Sequence, residues 1–419
     1  MRIAVVGGGV AGLYAAWQLA GSHEVVLYER NGRLGGHTDT HKIDLPDGTV
    51  AVDTGFIVFN EKHYPLFSAW LDALGVNSRV SDMSFGFASE VSGLEYNATR
   101  LNTLFCQRRN LVRPRFLAMV RDILRFYRRA PALLQSLDDR TTLGQWLTDS
   151  GLGPGFADDH LVPMAAALWS SPDRQILDFP MRSLLEFMHN HDMLQVDDRP
   201  IWRTIVGGSQ RYVEAALARF DGELRLNAPV YRIQRSADGR VGVTTADGED
   251  CFDQVVLACH ADQALAMIGA PNTAEREVLG AFDYQPNETV LHTDASRMPR
   301  NRRAWAAWNV RQDRDAPTHS GISYWMNRLQ GLECDTPLIV SLNQTSRIDP
   351  DRILKVRRYR HPIFTPGVRA AQRRIDAING RDRLWFCGAC WGFGFHEDAV
   401  RSARAVVDGI QADVVRDAA

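Results

Sequence analysis

Lysine is almost missing from this 419-residue chain: of 48 basic residues only Lys42, Lys62 and Lys355 are lysines, the rest arginines. That skew reflects a GC-rich genome and carries no mechanism. Fifty acidic residues leave a formal charge of −2, so no global field exists to recruit nucleic acid. Cysteine is sparse as well. Cys106, Cys251, Cys259, Cys334, Cys387 and Cys390 are too few for a disulfide framework at this length, which makes a reducing cytoplasm the expected compartment. No apolar stretch reaches the ~18–20 uninterrupted residues of a membrane span. Residues 2–20 begin like a secretory signal, but Gly7, Gly8, Gly9 and Gly12 break the run and read as mature protein. What is present is a globular composition, 45% hydrophobic and 23% charged, with length for two or three domains.

The glycines have their own explanation. Ile3-Ala-Val-Val6 suits a buried parallel strand, and Gly7-Gly8-Gly9-Val10-Ala11-Gly12 continues from it as GxGxxG. Leu13 to Ala20 then reads as a helix, and Glu24 to Tyr28 as a second strand ending at Glu29. In such a unit Gly7 permits the tight turn, Gly9 admits a pyrophosphate to the backbone, and Gly12 lets helix and strand pack closely. The pyrophosphate would sit on the helix N-terminus, where free N–H groups favour anions. Glu29, 22 residues after Gly7, is placed to accept from an adenosine ribose. The fingerprint serves FAD and NAD alike.

The residues after the second strand decide between the two cofactors. Glu29-Arg30-Asn-Gly-Arg33-Leu-Gly35-Gly36-His37-Thr38 is an E-x-x-x-R-x-G-G block, and Asp53-Thr54-Gly55-Phe56 comes soon after it. This block resembles the FAD-binding signature of the flavin amine oxidase and phytoene desaturase superfamily. Three further segments match in order: Gly207-Gly208-Ser209 opening a helix, Leu226 to Ile233 as a strand carrying Val230, and Gln254 to Ala258 as another strand. Near the C-terminus, Leu384 to Gly388-Ala389 reads as a strand entering a glycine-rich loop, and Gly394-Phe395-His396-Glu397-Asp398-Ala399 leads into a helix. The resemblance implies noncovalent FAD held along Gly7, Gly9, Val10, Ala11 and Gly12, then Glu29, Arg30, Arg33, Gly35, Gly36, His37 and Thr38. It implies further contacts from Thr54, Gly55, Phe56, Val230, Ala258, Gly388, Ala389, Glu397, Asp398 and Ala399. His37 departs from the Arg or Lys common after the paired glycines.

The implied fold is α/β, a doubly wound, Rossmann-like FAD-binding domain (1–57, 203–270 and 365–419) with an inserted α+β substrate domain (58–202 and 271–364). Enzymes of this superfamily pass a hydride from substrate carbon to flavin N5. His292 is the candidate for the pocket position facing N5, and Trp391, Phe395 and His396 are candidates to line the flavin pocket. Amine-oxidising members often keep a lysine near N5, yet none lies between Lys62 and Lys355. Pro163-Met164, Asn190-His191, Leu291-His292-Thr293-Asp294, Trp308-Asn309 and Phe395 to Asp398 further resemble a bacterial branch related to the N-terminal domain of plant cyclopropane fatty acid synthases, often encoded beside lipid methyltransferases. A lipid acyl chain is then the expected substrate. A small amine, or service as the flavin-holding partner of a lipid methyltransferase, are the alternatives.

Other motifs have plainer readings. Cys387-Gly-Ala-Cys390 fills the phosphate loop rather than forming a redox dithiol, His189-Asn-His191-Asp192 lacks further ligands at metal spacing, and Gly151-Leu-Gly153-Pro-Gly155 is a turn. Between Arg108 and Arg129 eight arginines face one acid, Asp122. Phe116, Val120, Ile123, Leu124 and Tyr127 fall at helical spacing within this stretch, so it either packs a core with a solvated basic face or docks on anionic phospholipid.

Overall fold

The computed structural model describes residues 1–169, 173–195, 199–316 and 320–417. The N-terminal strand Arg2–Val6 lies at the centre of a five-stranded, wholly parallel sheet, ordered Glu223–Arg225, Glu24–Tyr28, Arg2–Val6, Gln254–Leu257, Leu384–Phe386. Both faces are covered, which is why these strands are apolar at successive positions rather than alternating. Ile3, Val5, Val25, Leu27 and Val256 pack beneath the helices Val10–Ala20 and His396–Asp417. Ala4, Val26, Val255 and Leu257 pack on the other face against Val241, Val243 and Phe252 of an antiparallel three-stranded meander.

A second, mostly antiparallel sheet has seven strands, ordered Ile353–Pro362, Tyr284–His292, Ile339–Leu342, Ser320–Trp325, Trp308–Gln312, Phe85–Ser89, Leu94–Asn97. Helices from the 114–190 stretch stand beside it, the longest being Pro114–Ser136. Asp53 ties the two sheets together. It closes the strand Gly48–Asp53, and its carboxylate accepts from Ser209 N (3.0 Å), Ser209 Oγ (2.7 Å) and Gln330 Nε2 (2.7 Å). Ser209 precedes the helix Gln210–Leu217, while Gln330 comes after the turn Met326–Leu329 of the second sheet.

Two local expectations change. Residues 226–231 are not a strand; the chain is extended only over Glu223–Arg225 and Arg232–Arg235, and the segment between is held by Ala228 N–H donating to the Glu29 carbonyl (3.0 Å). In Pro114–Ser136 the buried stripe is Phe116, Met119, Phe126 and Ala130, with Leu124 44% exposed. Val120, Ile123 and Tyr127 pack half-buried against the core as their spacing predicts, so Leu124 is the one that departs, and Asp122 lies inward, where it accepts from Gly153 N–H (3.0 Å) and pairs with Arg121 and Arg125.

Candidate active site

A continuous cavity of ≈ 1840 Å³ runs from the end of the parallel sheet to the face of the seven-stranded sheet. Pockets for one drug-sized ligand span roughly 300–1,000 Å³, so this volume accommodates a dinucleotide and a substrate together. At the first end, Gly7, with φ +112°, turns the chain out of its strand. The first turn of Val10–Ala20 carries no side-chain cap and no acidic residue, which leaves its leading N–H groups for an anion. A Cβ placed on Gly9 would meet no protein atom within 4 Å, whereas one on Gly12 would stand 1.9 Å from the Gly7 carbonyl oxygen. Gly9 is therefore open to a ligand, and Gly12 is closed by helix–strand packing.

Glu29 is 7% exposed and lines the cavity. It accepts from Gly8 N–H (2.8 Å), Asn31 N–H (2.9 Å) and Asn31 Nδ2 (2.6 Å). A carboxylate has about four acceptor positions, so room remains for a ribose hydroxyl. Arg30, Gly35, Gly36, His37, Thr54, Gly55, Phe56, Val230, Ala258, Gly388, Ala389 and Ala399 also line the cavity. Arg33 reaches it too, but its guanidinium is spent on the loop, donating to Thr38 O (2.9 Å) and Gly36 O (3.0 Å) and pairing with Asp39 (3.1 Å). His37 Nε2 is buried there without a partner. An uncapped helix start, a glycine facing open space, a carboxylate with a spare acceptor and an orphaned imidazole nitrogen together fit an FAD.

Several expected site residues stand off the cavity wall. His292 is fully buried in its strand, where Nε2 meets Ser341 Oγ (2.8 Å) and Nδ1 accepts from Asp294 N–H (3.1 Å); both nitrogens are occupied and neither faces a ligand. Trp391 turns away to pack edge-on against Phe282, centroids 5.1 Å apart. Glu397 accepts from Leu66 and Phe67 N–H (3.2 and 3.0 Å), capping the helix Pro65–Leu74. Asp398 accepts from Phe393 and Phe395 N–H and pairs with Arg401, shaping the loop rather than meeting a cofactor. Thr38 is fully buried, its hydroxyl 2.6 Å from Tyr212 OH and 3.2 Å from His396 Nε2.

Phe395 and His396 do line the cavity. His396 stacks on Phe56 (3.6 Å, 14°), and burial pushes its imidazole down to about 3, so it is neutral and acts as a spacer. Phe395 stacks on Phe187 (5.0 Å, 19°), beside His191, whose Nδ1 donates to the Phe187 carbonyl (2.9 Å). Phe187, Trp202 and Tyr64 join this wall with no local signature, since they come from segments distant in sequence. Cys387 and Cys390 are free thiols, and burial pushes Cys390 up to about 11, against a thiolate role. Among the described residues, no group of three or more His, Cys, Asp or Glu could hold a metal.

A family model for flavin containing amine oxidoreductases matches residues 10–291. The chain belongs to that family. FAD is its cofactor. Among individual proteins, an L-amino-acid oxidase from Siganus canaliculatus is 25% identical over 324 residues, 71% of this chain and 57% of that protein. The chain spans about half the length of the curated relatives it matches. Two solved structures share the fold at low identity. A CLA-producing fatty acid isomerase from P. acnes superposes with TM-score 0.70 at 16% identity over 97% of this chain and 98% of its own. A cyclohexylamine oxidase from Brevibacterium oxydans does so at 0.71 and 15%, over 99% of each. In a flavin amine oxidoreductase with this geometry, Glu29→Ala should weaken FAD binding roughly 10–100-fold by removing a charged hydrogen bond of about 1.5–3 kcal/mol. Equilibrium dialysis against FAD checks it, and an unchanged Kd would exclude Glu29 from the ribose site.

Proposed function

We propose that the protein is an FAD-dependent oxidoreductase that dehydrogenates, or otherwise redox-modifies, an acyl chain of membrane lipid. The observation that carries this reading is the chemistry of the cavity wall beyond Phe395. Met83, Phe85, Met164, Leu168 and Leu342 line it. Of the cavity's carboxylates among the described residues, Glu29 lies at the nucleotide end, where it would hold the ribose, and the other two are already engaged, Asp82 with Arg328 (2.6 Å) and Asp192 with Lys62 and His63. No lysine lines it. An alkylammonium would find no free counter-ion there, whereas a hydrocarbon chain would replace water against apolar side chains.

When bound, FAD supplies the two-electron acceptor for breaking a C–H bond. The leading N–H groups of Val10–Ala20 would hold its pyrophosphate and Glu29 its ribose, while the N-terminus of His396–Asp417, reached through Ala399, would favour negative charge on the ring. The chain's own residues position the substrate. Phe395, Phe187 and the neutral His191 form a wall that excludes water and fixes the approach of the C–H bond. Mixed anaerobically with phosphatidylglycerol vesicles carrying monounsaturated chains, the yellow holoprotein should lose its flavin absorbance, and it should not do so with NADH. Bleaching by leucine or cyclohexylamine but not by lipid would make it an amine oxidase. No bleaching by any of them would leave a flavin-holding partner, the role beside a lipid methyltransferase. Comparing membrane lipids with and without the gene would then identify the modified chain.

The same reading includes docking on an anionic bilayer. Leu101 (76% exposed), Val112 (79%), Leu117 and Leu124 project among Arg100, Arg108, Arg121, Arg125 and Arg128. Thr99, one residue before Arg100, lines the cavity, and the exposed Val80 and Ile201 line it too. Apolar side chains amid cations suit a phosphatidylglycerol surface, which attracts basic residues within a Debye length. Arg121 and Arg125 hold the buried Asp122, so the clean variant is Arg100→Gln, Arg108→Gln, Arg128→Gln. Cosedimentation with anionic vesicles should fall about tenfold or more, with the flavin spectrum retained. Equal binding to neutral and anionic vesicles would refute docking. Among the described residues, no helix is long and apolar enough to cross a membrane.

A further inference from the structure

The cavity wall formed by the seven-stranded sheet holds polar atoms that an all-hydrocarbon substrate would leave unsatisfied. Cross-strand pairing sets Phe85 beside Trp308, Trp308 beside Tyr324, and Leu342 beside Thr289, and all five line the cavity. His160 stands edge-on to Phe85, ring centroids 6.3 Å apart. It comes from a π-helical turn, Ala157–Leu161, closed by Val162 N–H on the Ala157 carbonyl. Such one-residue insertions disturb regular helical bonding and recur at functional sites. Here the turn brings His160 onto the cavity wall.

The tautomer of His160 is set by its neighbours. Tyr96 has one hydroxyl proton, and its oxygen lies 2.8 Å from the Asp159 carbonyl oxygen, which can only accept. Tyr96 must therefore accept from His160 Nδ1–H at 3.2 Å. The neutral imidazole is left with its lone pair on Nε2, and this atom, in a side chain 5% exposed, has no partner. Trp308 Nε1, which can only donate, is likewise buried and unpartnered. One bare acceptor, on the ring edge-on to Phe85, and one bare donor, on the strand position paired with Phe85, thus belong to the same cavity wall.

We propose that His160 and Trp308 form a seat for a hydroxyl group of the substrate, the O–H donating to His160 Nε2 and the oxygen accepting from Trp308 Nε1. An ester or a carboxylate can only accept and would leave His160 orphaned. An alkylammonium can only donate and would face the nearby Arg199, which also lines the cavity. A neutral hydroxyl satisfies both atoms. The inference deepens the acyl-chain reading and rests on it for the rest of the substrate: the chain that fits is a hydroxylated one.

The test uses FAD-loaded protein and paired probes in calorimetric titration, 1-dodecanol against dodecyl methyl ether, and benzyl alcohol against benzyl methyl ether. Each alcohol should bind roughly tenfold or more tightly than its ether. His160→Leu should abolish that preference with the flavin spectrum retained, and His160→Gln, which restores an acceptor, should recover part of it. If the benzyl pair is discriminated through His160 but neither dodecyl probe binds, the acyl reading fails and the hydroxyl seat stands. Equal binding of alcohol and ether in the native protein, or a preference that survives in His160→Leu, would overturn the seat and leave a water molecule as its occupant.

Discussion

Gly9→Val should fold with near-native stability and purify without colour. Gly9 lies at φ −75°, ψ −179°, extended backbone that any residue adopts, and a Cβ there meets no protein atom within 4 Å. The open space is the cavity in front of the uncapped helix Val10–Ala20, where the pyrophosphate of FAD is expected. A branched side chain fills that cradle, and binding should fall by a factor on the order of 10³, since overpacking of a close-fitting contact costs up to about 3 kcal/mol and the helix N-terminus loses its anion as well. Gly12→Ala should do the opposite, because its Cβ would lie 1.9 Å from the Gly7 carbonyl oxygen. That backbone clash separates helix from strand, so the variant should lose folded protein rather than cofactor alone. Absorbance of bound flavin beside urea midpoints distinguishes the two. A yellow, fully loaded Gly9→Val protein would place the cofactor elsewhere.

The second large effect is acid lability. Burial pushes His160, His191 and His292 down to about 4 and His396 to about 3, against about 6.5 in an unfolded chain. Between those values the unfolded chain binds protons that the folded protein refuses. The stability contribution is thus complete above pH 6.5 and is lost as pH falls toward 4, at about 1.4 kcal/mol per histidine per pH unit. Asp53 works against this trend. Burial pushes its carboxyl up to about 6, so protonation in the same window favours the folded state. His260, pushed down to about 4, and His361, to about 3, add to the depressed histidines, which outweigh the raised carboxyls of Asp53, Glu397 and Asp398 and leave a net loss on the order of several kcal/mol between pH 6.5 and 5. Urea midpoints at pH 7.5 and 5.5 measure it, and His292→Gln should flatten the slope without touching the cavity. Equal midpoints would show these imidazoles to be accessible to protons in the folded state.

The strands Arg2–Val6 and Glu24–Tyr28, the helix between them and the position of Glu29 were all legible in the sequence. They form one contiguous unit in which every residue has a local reason: β-branched residues in the strands, glycines where the backbone turns, an acid at a strand end. The C-terminal helix was legible for the same reason, but not the task of each residue in its first turn. Glu397 and Asp398 look like ligand contacts on the chain and are caps, one for Pro65–Leu74 and one for the loop before its own helix. His292 failed similarly. Strand parity gives two faces, and only the partner strand carrying Ser341 decides that its imidazole is already satisfied.

By itself, then, the sequence determined the nucleotide-binding unit, because that depends on spacing within short segments and on a turn at Gly7 that favours glycine, while its resemblance to the flavin amine oxidase superfamily implied the cofactor and the family. The tertiary structure decided which side chains share the substrate end of the cavity. Phe187, Trp202, Phe395, His160 and Trp308 come from five separate stretches and meet only in the folded chain. Whether a buried polar atom there has a partner is a property of three-dimensional neighbours, and no spacing along the chain encodes it. His160 carries no motif; what marks it is a π-helical turn, a tyrosine proton already given to Asp159, and an imidazole nitrogen with nothing left to bond.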